Sequence, residues 1–139
     1  MPKLYAVADS LTRRLPRLVS PKGHAIADYV AIGAFAVAGA LFWRTNRRAA
    51  TAALLCGGAQ LALNLATDYP GGVINMLTFP AHGKVDMGLA ALTATMPELL
   101  GFREGRSFFL AQSGAITATT NLTRFSPFRN YARRNHPNR

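Results

Sequence analysis

This chain is poor in acid, in cysteine and in charge altogether. Only 16% of its 139 residues are charged, against about a quarter in a typical soluble domain. Six Asp+Glu stand against sixteen Lys+Arg, for a net charge of +10. The single cysteine, Cys56, excludes an internal disulfide framework, and its apolar neighbours argue against an exposed redox thiol. No H-E-x-x-H or C-x-x-C is present, and no nucleophile–base pair, phosphate loop or nucleotide fingerprint, so nothing in the chain asks for catalysis. Basic residues are missing from three long stretches: between Lys22 and Arg44, between Arg48 and Lys84, and between Arg106 and Arg124. A nucleic-acid binder gathers its cations into a stripe or patch. Here they punctuate apolar runs, so the expected partner is a bilayer with anionic headgroups and not nucleic acid. The length allows one small domain or helix bundle.

Half of the residues are apolar, although the mean hydropathy is only +0.11. Ala25–Trp43 carries one charge, Asp28, and ends on an aromatic–basic anchor, Trp43-Arg44. That is the length of a tilted membrane helix. Ala49–Thr67 has no charge, and Gly57, Gly58 and its alanines suit close helix contact. Val85–Phe102 holds Asp86, Glu98 and Pro97, which should kink it. Ser107–Asn121 is short and threonine-rich. The alternative for these two weaker segments is a pair of buried helices in a soluble bundle.

Leu4, Val7, Leu11, Leu15 and Leu18 recur at helical steps opposite Arg13, Arg14 and Arg17, which predicts an interfacial amphipathic helix over 1–21. Leu4–Ala8 is too short for a signal-peptide core, and Pro16, Arg17 and Lys22 interrupt what a twin-arginine signal requires. Four spans place both termini on one side, with Lys3, Arg13, Arg14, Arg17, Lys22, Lys84, Arg124 and the arginines of the 128–139 tail. Arg44, Arg47, Arg48, Arg103 and Arg106 fall on the other. That bias predicts a multi-pass protein of the bacterial inner membrane with cytoplasmic termini.

The chain also repeats itself. His24-Ala-Ile-Ala-Asp28 returns as His82-Gly-Lys-Val-Asp86, and Asn64-Leu-Ala-Thr-Asp-Tyr-Pro70 as Asn121-Leu-Thr-Arg-Phe-Ser-Pro127, at offsets differing by one residue. This predicts two tandem two-helix repeats, 22–70 and 80–127, joined by an apolar loop, 71–79, and related by a two-fold axis along the membrane normal. The expected fold is all-α, a four-transmembrane-helix bundle.

The H-x-x-x-D that opens a span, with Met96-Pro97-Glu98-Leu99-Leu100-Gly101-Phe102 closing the third, resembles the SPW repeat group of small bacterial membrane proteins. Met96 and Glu98 stand where that group's Ser and Trp would, and the first repeat, Gly39-Ala-Leu-Phe-Trp43, has no proline. The resemblance implies tandem two-helix units and carries no catalytic residue across.

His24 and Asp28 share one helix face, as do His82 and Asp86. Asn64 and Asn121 are expected at the same end of the bundle as a supporting polar cluster. One reading is helix-to-helix hydrogen bonding, each His serving its own or the other repeat's Asp. The other is a bound cofactor: a zinc, iron or manganese ion held by His24, Asp28, His82 and Asp86, or a haem-like macrocycle between the imidazoles. Glu98 is expected to pair with Arg103, Arg106 or Arg44. The overall expectation is a structural or accessory membrane protein, a homo-oligomer or part of a larger complex, with cofactor binding as the alternative. Transport is disfavoured, because four short spans leave little room for a gated path.

Overall fold

The computed structural model describes residues 17–125; the expected amphipathic helix over 1–21 and the basic tail lie almost wholly outside them. The described residues are all-α, with four helices: α1 (Pro21–Phe42), α2 (Arg47–Leu65), α3 (Phe79–Leu100) and α4 (Arg106–Leu122). They form two hairpins, α1–α2 and α3–α4, set side by side so that α2 also packs on α3 and α4 closes on α1.

The helices begin earlier than apolarity alone suggests, because capping and not hydropathy starts them. The Ser20 hydroxyl accepts the Gly23 N–H at 3.1 Å, with Pro21 supplying the first helical φ. Thr78 does the same for Ala81 at 3.3 Å, which starts α3 at Phe79 rather than at Val85. The Asn46 side chain caps α2 through the Ala49 N–H at 3.1 Å. Gly101, at φ 65°, ends α3 in the left-handed conformation. Pro97 falls in the last turn of α3, so the bond it forfeits is one near the helix end.

Small residues bring the hairpin helices together. Ala49, Ala50, Ala52 and Ala53 are buried on α2, and Phe35 of α1 lies over Gly57, where a Cβ would stand 2.8 Å from the Phe35 Cβ. Meanwhile Ile26, Val30, Val37 and Leu41 of α1, Leu54 and Leu55 of α2, and Leu99 and Leu110 of α3 and α4 face outward. Many of the larger aliphatic side chains are thus outside, while alanines make up much of the buried apolar core. Of the four helices, α1 alone is long and apolar enough to pass as a membrane span.

The two-fold relation is carried into the loops. After α2, Asp68 N–H donates to Leu77 O (2.8 Å) and Leu77 N–H to Ala66 O (2.9 Å). After α4, Arg124 N–H donates to Val19 O and Val19 N–H to Leu122 O, both at 3.0 Å. Each hairpin's end is therefore stitched to the residue just before the other's first helix, as two isolated parallel bridges, Thr67–Leu77 and Val19–Thr123. The connector also satisfies α2's last carbonyls: the N–H groups of Val73 and Ile74 reach Leu65 O. Gly72 is required there, since any Cβ would overlap the Thr67 carbonyl.

A candidate metal centre on the two-fold axis

His24 and Asp28 lie on the inner face of the first turns of α1, and His82 and Asp86 hold the matching places on α3, 58 positions later. A two-fold axis brings residues near it next to their own copies. All four side chains converge and all four are buried: His24 and His82 are 0% exposed, Asp86 1% and Asp28 4%. His24 Nε2 lies 3.4 Å from Asp28 Oδ2 and 3.1 Å from Asp86 Oδ2; His82 Nε2 lies 3.3 and 3.1 Å from the same two atoms. One atom from each of the four residues falls within 4.8 Å of every other.

What the imidazoles present to one another is fixed from behind. His82 Nδ1 is 2.8 Å from Thr67 Oγ1, whose own proton goes to the Leu63 carbonyl at 2.6 Å. His24 Nδ1 is 2.7 Å from Thr123 Oγ1, whose proton goes to the Thr119 carbonyl at 2.6 Å. A hydroxyl has one proton to give. With that proton committed, each threonine oxygen accepts from Nδ1–H, and each neutral ring turns a bare Nε2 lone pair toward the axis. His82 Nε2 and Asp86 Oδ1 have no hydrogen-bond partner in this setting.

Lone pairs and carboxylate oxygens facing one another at 3.1–3.4 Å repel unless something positive lies between them. Two protons, one on each Nε2, would serve. So would one dication, which brings the two carboxylates to net zero. The four nitrogen–oxygen distances suit a metal, since a tetrahedral ion with bonds of about 2.0–2.1 Å sets its ligands ~3.3 Å apart, and all four atoms lie within 4.8 Å of one another. A macrocycle fits poorly, because the aspartate oxygens occupy the space around the imidazole pair where its ring would lie.

The carboxylates are also held. Thr120 donates to Asp86 Oδ2 at 3.3 Å, and Tyr69 to Asp28 Oδ2 at 3.1 Å. The Asn64 amide nitrogen, in the orientation that satisfies its neighbours, donates to Asp28 Oδ2 at 3.3 Å. Burial first, and then the Asp28 charge, push the Tyr69 phenol above its ordinary pKa, so it remains a donor. Aromatic rings close the end of the bundle: Phe79 meets His24 edge-on at 5.4 Å, Tyr69 lies 4.9 Å from His82, and Phe125 lies 4.7 Å from Phe79.

Against this geometry, no family model, no curated protein and no solved structure matches the chain.

The structure thus brings together His24, Asp28, His82, Asp86 and Asn64. Asn121 does not join them: it is half-buried and makes no hydrogen bond to the cluster among the described residues. The second half runs at an offset of 56, not the 57 that the N-L matches suggest. Thr120 therefore stands in for Asn64, Thr123 for Thr67 and Phe125 for Tyr69. Those shared threonines and aromatics were the visible signal for the true register. Glu98 pairs with Arg106 at 2.6 Å, as expected, on the exposed opposite end. Thr95 and Thr117 bond back to their own helices, whereas Thr120 serves the site instead.

Proposed function

We propose that this chain is a small membrane-embedded four-helix protein that holds one divalent transition metal, of the zinc, iron or manganese class, between its two hairpins. The observation that carries the reading is the pair of threonine-locked imidazoles, which turn both Nε2 atoms and two carboxylate oxygens toward one point, each neutral ring offering a lone pair there. Metal-binding histidines are oriented in this way, through a hydrogen bond from the other ring nitrogen. The ligands His24, Asp28, His82 and Asp86 make a neutral site with a dication, which suits a low-dielectric surrounding.

The bilayer part of the proposal rests on the outward-facing Ile26, Val30, Val37 and Leu41 and the alanine-rich interior, the reverse of what water favours. Charges collect at the two ends, with Arg47 stacked 4.7 Å over the Trp43 ring at one of them. In this reading all four helices cross, with both termini cytoplasmic, and the paired hairpins are the trait shared with the SPW repeat group. A second reading, an accessory protein that packs against itself or a larger complex, is favoured by the exposed Val73, Ile74 and Met76 of the connector.

The test is metal content per chain after detergent purification from the native host. Near-stoichiometric metal that is lost in His24→Ala and in His82→Ala supports the proposal. Metal-free protein that takes up neither zinc, iron nor manganese on addition overturns it and leaves the accessory reading.

A further inference from the structure

A second feature lies beside the cluster and shares Asp28 with it. Between α1 and α4 a recess of about 290 Å3 opens on one side of the bundle, lined by Ala27, Ala31 and Ala34 of α1, Gln60 of α2, and Gln112 and Thr119 of α4, with Asp28 at its wall. Gln60 is 1% exposed, and neither its amide nitrogen nor its amide oxygen has a hydrogen-bond partner among the described residues. Burying both ends of an amide unpaired costs stability, so a chain that keeps one there has a use for it.

The internal duplication supplies a comparison. On the opposite face, where α2 meets α3, the same symmetry positions hold Leu89 and Leu92 in place of Ala31 and Ala34. They hold Cys56 and Leu63 in place of Gln112 and Thr119, while Ile116, the counterpart of Gln60, itself lines the recess. That face packs more closely than α1 against α4. The α2–α3 face thus carries two leucines where the recess has alanines, and Cys56 and Leu63 where it has Gln112 and Thr119.

We propose that the recess is a binding site for a small uncharged ring molecule bearing a hydroxyl, of the phenol type. Ala27, Ala31 and Ala34 fall on one helical face and offer a smooth wall for a flat apolar body. A hydroxyl both donates and accepts, which is what the two unpaired ends of the Gln60 amide require. The apolar wall disfavours a charged body, and the Asp28 carboxylate repels an anion. The volume lies at the lower end of small-molecule sites, about 300–1,000 Å3. The recess opens at the side of the bundle and not at an end, so the ligand arrives from the phase around the helices.

The chain contains two glutamines, Gln60 and Gln112, and both line the recess. Selective 15N labelling of glutamine therefore gives two side-chain amide signals, both from this site. Titration of the full chain in detergent with 4-methylphenol is expected to shift both signals saturably. In A31L/A34L, which installs the repeat's own leucines, neither signal should move. In Gln60→Ile binding should weaken roughly tenfold, read from the Gln112 signal. No saturable shift into the millimolar range overturns the proposal, as does an equal shift in A31L/A34L. The readout needs no metal, so it stands or falls apart from the metal reading; if A31L/A34L fails to fold, the Gln60→Ile comparison decides alone.

Discussion

If the threonines fix the imidazoles for a metal, removing one hydroxyl should cost metal affinity while sparing every ligand. Thr67→Val is nearly isosteric and takes away the only acceptor for His82 Nδ1–H, a group on a side chain with no solvent exposure. An N–H stranded in this way costs about 1–3 kcal/mol. The imidazole can avoid that cost only by moving its proton to Nε2, which removes the lone pair the metal needs. Either route falls on metal binding, and loss of such an orienting partner typically costs 10–100-fold in affinity. Thr123→Val should do the same through His24, whose Nδ1 contact is 2.7 Å. Because the two threonines act on ligands of one ion, the double variant should bind more weakly than either single variant, with the departure from the product of the two losses measuring their coupling. Thr67→Ser keeps the hydroxyl and should restore binding. Thr95→Val, whose hydroxyl bonds only to the Ala91 and Leu92 carbonyls, is the control for losing a threonine as such. The assay is competition for zinc against a chelator of known affinity, on protein purified in detergent. If Thr67→Val and Thr123→Val bind zinc as tightly as the parent chain, the hydroxyls do not set the tautomer and the argument for a metal loses its foundation.

Three further outcomes follow from the same geometry. Gly57→Ala should destabilise the α1–α2 hairpin by about 1–3 kcal/mol through its clash with Phe35. Gly58→Ala, with open space around it, should be neutral or stabilising by up to ~1 kcal/mol; melting temperatures of the two in one detergent check the pair. Zinc should raise the melting temperature and a chelator reverse the gain, since free metal at a thousand times its Kd adds about 4 kcal/mol; an unchanged melting temperature would contradict a site formed only in the folded chain. In a Cys56→Ala background, cysteines placed at Ser20 and at Thr45 should react with a membrane-impermeant thiol reagent from opposite sides of the membrane, and labelling from one side would rule out a crossing α1.

The four helices and their pairing were legible because apolar runs and interruptions are local properties. Their starts were not: α3 begins at a Thr78 cap, and a polar first turn holding His82 and Lys84 looks like loop until its cap is recognised. The H-x-x-x-D pairs were legible as helical faces, and duplication suggested that they meet. The partners behind them were hidden, because Thr67 and Thr123 look like any helix-end threonine. Their role depends on the loops that stitch Thr67 to Leu77 and Thr123 to Val19, a contact between residues about a hundred positions apart in the second case. Asn121 misled because an N-L match one residue out of register is as conspicuous as the true one. Gln60 was passed over since a lone amide in an apolar run carries no spacing, and only packing shows it unpartnered.

Whether the cluster serves the fold or a ligand can be decided by removing it entirely. Buried ionisable groups are poor glue: replacing a whole buried ionic cluster with apolar groups of similar size is often neutral, or stabilising by about 1–4 kcal/mol, while removing one member costs about 3–5 kcal/mol. The far half of this bundle already holds its helices with a buried apolar core that includes Phe35, Ala49, Ala52, Ala53 and Phe109, its Glu98–Arg106 ion pair lying exposed. The quadruple variant H24L/D28A/H82L/D86A should therefore melt at or above the temperature of the chelator-treated parent, whereas Asp86→Ala alone should melt well below it. The same quadruple variant should bind no zinc and show no metal-dependent gain. If it instead fails to fold where the metal-free parent folds, the four residues are structural hydrogen-bonding partners. If it folds and is more stable, the chain retains four costly buried groups for what they bind.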